Sequence, residues 1–323
     1  MITREALTVI LSLSLLSSLP VEGFTSGQRM SSQPLQQTSS DETKSSSSNG
    51  IKGIIFDIDG TLADSWNLGY QATLTVLTEY HNENNEEQYT PETYPLTAEE
   101  YHYGCRFTTP ERLARHVGLQ PGDAPFESIG EKLGARFDDY YVQLVDTKTA
   151  GFYEGIGDLL VKLHGGNLTP VANHEEESSE SCGVQVRYKL GALTNACVEY
   201  AHAVLKANCP EQSSDDVSSS SELKNTSIYD RFSSIHGANS VPRPKPFGDG
   251  IRLCCEEMNL IPSDVIYVGD APTDARAAVD AHCRAAIGVL WGSNDEACLK
   301  SEEGFDILCA DVDQLERAIA NYL

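Results

Sequence analysis

An apolar run, Ile54-Ile55-Phe56, ends abruptly at Asp57-Ile58-Asp59-Gly60, and no other feature narrows the possible folds of this chain as much. A short β-branched and aromatic run closed by acids and a glycine turn reads as a buried strand with two carboxylates at its C-terminal edge. In open α/β sheets that edge is where ligands bind. In a strict strand residues two apart share a face, so Asp57 and Asp59 would point the same way. A carboxylate there can hold a hard divalent cation through oxygen, attack an electrophile or move a proton. The pair alone does not choose among these, nor does it exclude plain turn or capping duty.

Three later segments repeat the pattern of an apolar strand or stiff loop that delivers polar residues. Tyr188–Leu193 runs into Thr194-Asn195, a hydroxyl and an amide able to hold anionic oxygens. Pro242-Arg243-Pro244-Lys245-Pro246 fixes a lysine in a proline-stiffened loop, giving a flexible side chain a defined anchor. Val265-Ile266-Tyr267-Val268 leads into Gly269-Asp270-Ala271-Pro272-Thr273-Asp274, a second acidic pair. Each residue also has a purely structural reading. Asp64 and Ser65 suit the cap of a following helix, and that reading is preferred for them. Thr194 suits an N-cap before Ala196, a role compatible with phosphate binding at a helix start. Lys245 taken alone could be a solvated loop lysine, and Asp274 behind Pro272 could serve only the helix dipole.

Taken in order, DxDGTxxDS at Asp57–Ser65, then Thr194-Asn195, Lys245-Pro246 and GDxxxD at Gly269–Asp274 resemble the motifs of the haloacid dehalogenase-like hydrolase superfamily, phosphoglycolate phosphatase-like branch. The resemblance implies an α/β fold: a Rossmann-like parallel sheet core with an inserted all-helical cap domain. It implies that Asp57 is the nucleophile, forming an aspartyl-phosphate that water hydrolyses. Asp59 would protonate the leaving oxygen and then deprotonate that water. Mg²⁺ is expected on carboxylate oxygens of Asp57 and Asp270 and on the main-chain carbonyl of Asp59. Thr194, Asn195 and Lys245 would bind the phosphoryl oxygens, with Lys245 also neutralising charge in catalysis. Asp274 would orient Lys245 or a metal-bound water rather than bind the ion.

Residues 51–65 and 151–323 are assigned to the core and 66–150 to the cap. Within the cap Trp66, Tyr70, Leu74 and Leu77 recur at helical spacing, as do Ile129, Leu133, Phe137, Tyr140 and Leu144. A shorter helix opens at Thr109-Pro110 and closes by Gly118. Tyr101–Phe107, aromatic and arginine-containing, is a candidate for substrate contact, and otherwise a packed cap loop. Strands are expected over Ala285–Gly292 and Phe305–Cys309, with a helix from Val312, and such alternation argues for a parallel sheet covered on both faces. Residues 165–185 and 209–227, acidic, serine-rich and aperiodic, read as disordered insertions that interrupt no motif.

With 23 Lys and Arg against 48 Asp and Glu, the net charge of -25 excludes a basic-patch binder of nucleic acid. Anion capture must therefore come from local charge. Nine cysteines, an odd number without metal-ligand spacing, argue against a disulfide framework and for a reducing compartment. Arg4, the apolar run Ala6–Leu19 and Val21-Glu22-Gly23 form a signal-peptide pattern, too short to span a membrane. Residues 24–40, hydroxyl-rich and free of acids, follow in transit-peptide style, so residues 1–50 resemble a bipartite plastid leader, with secretion or an endomembrane address as the alternative. The expected activity is a Mg²⁺-dependent phosphomonoester hydrolase acting on a small phosphorylated metabolite such as 2-phosphoglycolate, with no nucleic-acid partner and no membrane in the mature form. Alternatives are a broad sugar-phosphate or nucleotide phosphatase, a β-phosphoglucomutase-like phosphomutase and, least favoured, a noncatalytic binding or regulatory protein.

Overall fold

In the computed structural model, described at residues 50–84, 88–166, 168, 187–208, 227–301 and 303–322, the run before Asp57 is an inner strand of a parallel sheet. In chain order, β1 (Gly53–Phe56) and β2 (Ala63–Asp64) lead into four helices, α1 (Trp66–Asn84), α2 (Ala98–Gly104), α3 (Thr109–His116) and α4 (Phe126–Gln143). The chain returns through β3 (Gly151–Phe152) and α5 (Ile156–Gly165), then alternates through β4 (Lys189–Leu193), α6 (Val198–Ala207), β5 (Phe232–His236) and α7 (Asp249–Glu257). It ends with β6 (Val265–Gly269), α8 (Pro272–Ala281), β7 (Ala285–Val289), α9 (Glu296–Ser301), β8 (Ile307–Cys309) and α10 (Val312–Ala320).

Six strands pair in parallel in the order β5-β4-β1-β6-β7-β8. This is the α/β parallel sheet that the sequence implies. The chain works outward from β1 on one side and then on the other, so strand order reverses beside β1, where such sheets open a ligand crevice. Register does the rest. Phe56 stands opposite Ala192 of β4 and Val268 of β6, which brings Asp57, Thr194 and Asp270 out at one edge.

Alternate residues of β1 serve opposite cores, which is why the strand reads as a continuous apolar run. Ile54 and Phe56 pack with Leu159, Leu160 and Leu205 from α5 and α6. Ile55 faces the other way, with Cys254 and Cys255 of α7 and Ala277 and Ala278 of α8. The first of these cores continues into the helices between β2 and β3 through Leu68, Leu77, Leu113, Leu133 and Phe137. Entry to and exit from that helical insert are joined, because β2 and β3 pair antiparallel, Ala63 opposite Phe152 and Asp64 opposite Gly151.

Several expectations need correction. Tyr101–Gly104 belongs to α2 rather than to a loop, and Thr97 and Glu100 close a capping box at its start. The buried stripe of α4 runs through Leu133, Phe137 and Tyr141, not Tyr140 and Leu144, and Leu144 is exposed. The strand begun at Ala285 stops at Val289, short of Trp291-Gly292. The proposed insertions lie outside the described residues apart from Gly165, Gly166, Leu168 and Ser227, as does the leader apart from Gly50. No helix among the described residues is long and apolar enough to cross a membrane.

Candidate active site

Asp57 leaves β1 with its N–H donated to the Val268 carbonyl at 2.8 Å, so the sheet itself sets its position. Its Oδ1 accepts from the N–H of Ile58 at 2.7 Å and faces Lys245 Nζ at 2.8 Å. Lys245 Nζ also donates to Asp274 Oδ1 at 2.7 Å, and both side chains are buried. Asp274 is held in turn by the Tyr267 hydroxyl at 3.1 Å and the Ala271 N–H at 2.9 Å. Asp274 therefore caps α8 and fixes the lysine ammonium at once.

Asn195 is spent differently from the expectation. Its Oδ1 accepts from the Lys245 N–H at 3.0 Å and its Nδ2 donates to the Lys245 carbonyl at 3.1 Å, so its amide clamps the lysine loop rather than standing free for phosphoryl oxygens. Thr194 Oγ1 accepts from the Ala196 N–H at 3.0 Å and donates to Asp59 Oδ2 at 2.8 Å.

Asp59 is ringed by hydroxyls. Oδ1 accepts from Ser65 at 2.6 Å, Tyr141 at 2.8 Å and Tyr200 at 2.6 Å. Tyr141 comes from α4 in the insert and Tyr200 from α6 in the core, with their rings stacked at 3.9 Å and 11°. Burial first, then the Asp59 charge, pushes both phenols well above the usual range, so they remain donors. Ser65, read as a helix cap, instead donates its hydroxyl to the site. Neither tyrosine carried a motif: each sits on the buried stripe of a helix and reads as core.

Asp270 is clasped by the loop after β7. The Ser293 N–H donates to Oδ2 at 2.7 Å and Asn294 Nδ2 donates to the Asp270 carbonyl at 3.1 Å. Glycine is required on both sides of this carboxylate. A Cβ on Gly60, which sits at φ +75, would lie 2.3 Å from Asp270 Oδ2, and one on Gly292 would lie 2.2 Å from it.

Asp57, Asp270 and Asp274 are all buried, with carboxylate oxygens within 4.8 Å of one another. Burial, reinforced by Asp274, pushes Asp270 up to about 7. Burial likewise raises Asp57 well above the usual carboxylate range, against the opposing pull of Lys245. For Lys245 burial works against the charge, but Asp274 and Asp57 outweigh it and hold the ammonium protonated. Ionised, three carboxylates against one ammonium leave an excess of negative charge that a divalent cation would neutralise, so the residues fit a hard metal ion.

Above this polar floor lies a cavity of ≈ 590 Å³, with Trp66, Tyr101, Arg112 and Phe137 on the insert side and Arg276 on α8. Its contents can be held between the carboxylate-bearing strand edge and an aromatic roof.

Comparison with known proteins gives a consistent picture. A sequence model described as haloacid dehalogenase-like hydrolase matches residues 51–282. A phosphoglycolate phosphatase of Chromobacterium violaceum is 25% identical over 265 residues, spanning 78% of this chain and 90% of that protein. A solved structure from Lactobacillus delbrueckii subsp. bulgaricus aligns with a TM-score of 0.58 at 18% identity, covering 84% of this chain and 98% of its own. CbbY from Rhodobacter sphaeroides, solved in complex with phosphate, aligns with a TM-score of 0.51 at 20% identity, covering 80% and 93%. At these identities the solved structures speak for the fold.

Proposed function

Because the chain belongs to the haloacid dehalogenase-like hydrolase family and is a phosphatase, we propose that it is a Mg²⁺-dependent phosphomonoesterase working through an aspartyl-phosphate, with 2-phosphoglycolate as substrate. The observation that carries this reading is Lys245 Nζ, held 2.8 Å from Asp57 and 2.7 Å from Asp274 at the strand edge that also bears Asp270. The named activity of the curated relative supports the substrate.

Asp57 and Asp270 would hold the metal through carboxylate oxygens. Asp59, with its carboxylate already taken by hydroxyls, would offer its main-chain carbonyl. When bound, the ion supplies positive charge to offset the dianionic phosphoryl group. Asp57, fixed by the Ile58 N–H and by Lys245, attacks phosphorus through a carboxylate oxygen and displaces the ester oxygen. Asp59 would have to enter the cycle protonated to give that oxygen its proton, and as the carboxylate so formed would later take one from the water that hydrolyses the acyl phosphate. Thr194 and Lys245 line the same cavity and would bind phosphoryl oxygens, while Asn195 keeps the lysine loop in register. The aromatic roof would limit water around the reacting group.

The deciding experiment is phosphate release by residues 51–323, with Mg²⁺ and with chelator, across 2-phosphoglycolate, sugar phosphates, nucleotides and pyrophosphate. Preference for 2-phosphoglycolate that vanishes with chelator is expected. A broad profile would leave a general phosphatase, and an isomerised sugar phosphate would mean a phosphomutase. Residues 1–50 would carry the enzyme to a plastid, a reading supported by the leader pattern and by the reduced thiols of Cys197, Cys254, Cys255 and Cys309 buried in the core. A fluorescent protein fused to residues 1–50 that is secreted instead would refute it.

A further inference from the structure

Among the arginines that line or neighbour the insert, Arg112 on α3 stands apart. Arg115 pairs with Glu111 and Arg136 with Glu83. Arg106 lies over the Tyr103 ring and donates to the Tyr103 carbonyl. Arg112 is only 6% exposed, and no carboxylate is among its hydrogen-bond or ion-pair partners in the described residues. Its Nη1 donates to the weak acceptor Cys105 Sγ at 3.5 Å, and its Nε, buried, has no partner. The guanidinium carbon lies 5.1 Å from the Tyr101 ring centroid and 4.9 Å from that of Phe137. Arginine is always charged, and a buried cation satisfied only by ring faces and a thiol is held at a cost unless something anionic completes it. What it faces is the cavity that also contains Asp57, Asp59 and Lys245.

We infer that Arg112 is the specificity-determining residue of this site and binds a carboxylate at the end of the substrate remote from the phosphoryl group. The inference rests on the phosphomonoesterase reading and deepens it. Two anion-binding ends face each other across the cavity: the floor handles the phosphoryl dianion with Lys245 and a metal, and the insert side offers the Arg112 guanidinium, while Arg106 on the same side is laid over the Tyr103 ring and donates to the Tyr103 carbonyl. A single guanidinium among aromatic rings matches a monoanion. A second phosphate would bring about two negative charges against that one cation. Arginine also suits carboxylate geometry, since its planar fork can donate two parallel hydrogen bonds.

The test compares kcat/KM for three phosphomonoesters that differ only at the tail: 2-phosphoglycolate, 2-hydroxyethyl phosphate and ethane-1,2-diol bisphosphate. Wild-type protein should favour the carboxylate tail over the neutral one by about tenfold or more, the scale of a charge-assisted hydrogen bond. In Arg112→Met that ratio should fall towards one, mainly through KM for 2-phosphoglycolate, and Arg112→Lys should restore part of it. A ratio unchanged in Arg112→Met, an equal loss on all three esters, or a wild-type preference for the bisphosphate would each overturn the assignment. Binding separates this result from failure of the phosphatase reading. In an Asp57→Asn background, calorimetry should show 2-phosphoglycolate bound about tenfold more weakly once Arg112→Met is added, with thermal melting confirming that the double variant is folded. Unchanged affinity there refutes the role of Arg112 whatever the turnover of the wild type.

Discussion

Four hydroxyls converge on the carboxylate of Asp59, and the consequences are measurable one residue at a time. Tyr200→Phe removes one donor while keeping the stacked ring, so the protein should fold normally and kcat should fall by about tenfold or more through misplacement of the acid. An unaltered kcat would show that the hydroxyl ring is incidental. Asp57→Asn should lower kcat by more than about 10³-fold, and turnover close to wild type would remove it as the nucleophile. Lys245→Met leaves Asp57 and Asp274 buried without their cation, and denaturant titration should show a loss of about 3–5 kcal/mol. The residues that a sequence reveals here are those that terminate apolar runs: Asp57, Thr194 and Asp270 each follow a buried strand, and Lys245 stands between prolines. Tyr141 and Tyr200 were illegible because a tyrosine on a buried helical stripe looks the same whether its hydroxyl meets a carboxylate or water.

At the scale of elements, the loop after β7 and helix α3 both make exposed commitments. Gly292→Ala would drive a methyl group against Asp270 Oδ2 and the Gly60 carbonyl. Overpacking of this kind costs about 1–3 kcal/mol, and the loss of activity should exceed what that destabilisation explains, because the displaced carboxylate belongs to the site. Activity that merely tracks stability would count against Asp270 as a ligand. In α3, burial first and Arg112 second lower His116 to about 4 from 6.5, against a weaker opposite pull from Glu100. The unfolded chain therefore takes up a proton that the folded one refuses, and stability contributed by neutral His116 is present above pH 6.5 and drains away as pH falls towards 4. Melting curves over that window should be flatter for His116→Asn than for wild type. Strands β1, β4, β6 and β7 were readable from their apolar runs. Strand β5, Phe232-Ser233-Ser234-Ile235-His236, was not, because an edge strand mixes polar residues into its pattern, and β2 and β3 have only two residues each. Helix α2 had a signal in Thr97 and Glu100, and the phase of α4 slipped because Tyr140 and Tyr141 are adjacent and only one can face inward.

Over the whole molecule the charge of -25 opposes the approach of any anionic ester. Screening that repulsion should raise kcat/KM a few-fold as ionic strength increases from about 0.01 to 0.15 M at constant Mg²⁺, the reverse of the usual effect on an attracted pair. A fall with salt would point to local attraction overriding the net charge. Metal binding should also register in global stability: at a Mg²⁺ concentration about 100 times Kd the folded state gains about 2.7 kcal/mol, lost on chelation. The antiparallel pairing of Ala63–Asp64 with Gly151–Phe152 has a further consequence. The chain leaves the sheet layer and re-enters it through neighbouring residues, which makes the helical insert a side branch on an otherwise continuous βα path. A branch rooted at a single doublet can be lengthened, exchanged or redesigned without rerouting any strand beneath it, so new ester preferences are open to this scaffold while the phosphoryl chemistry stays where β1 puts it.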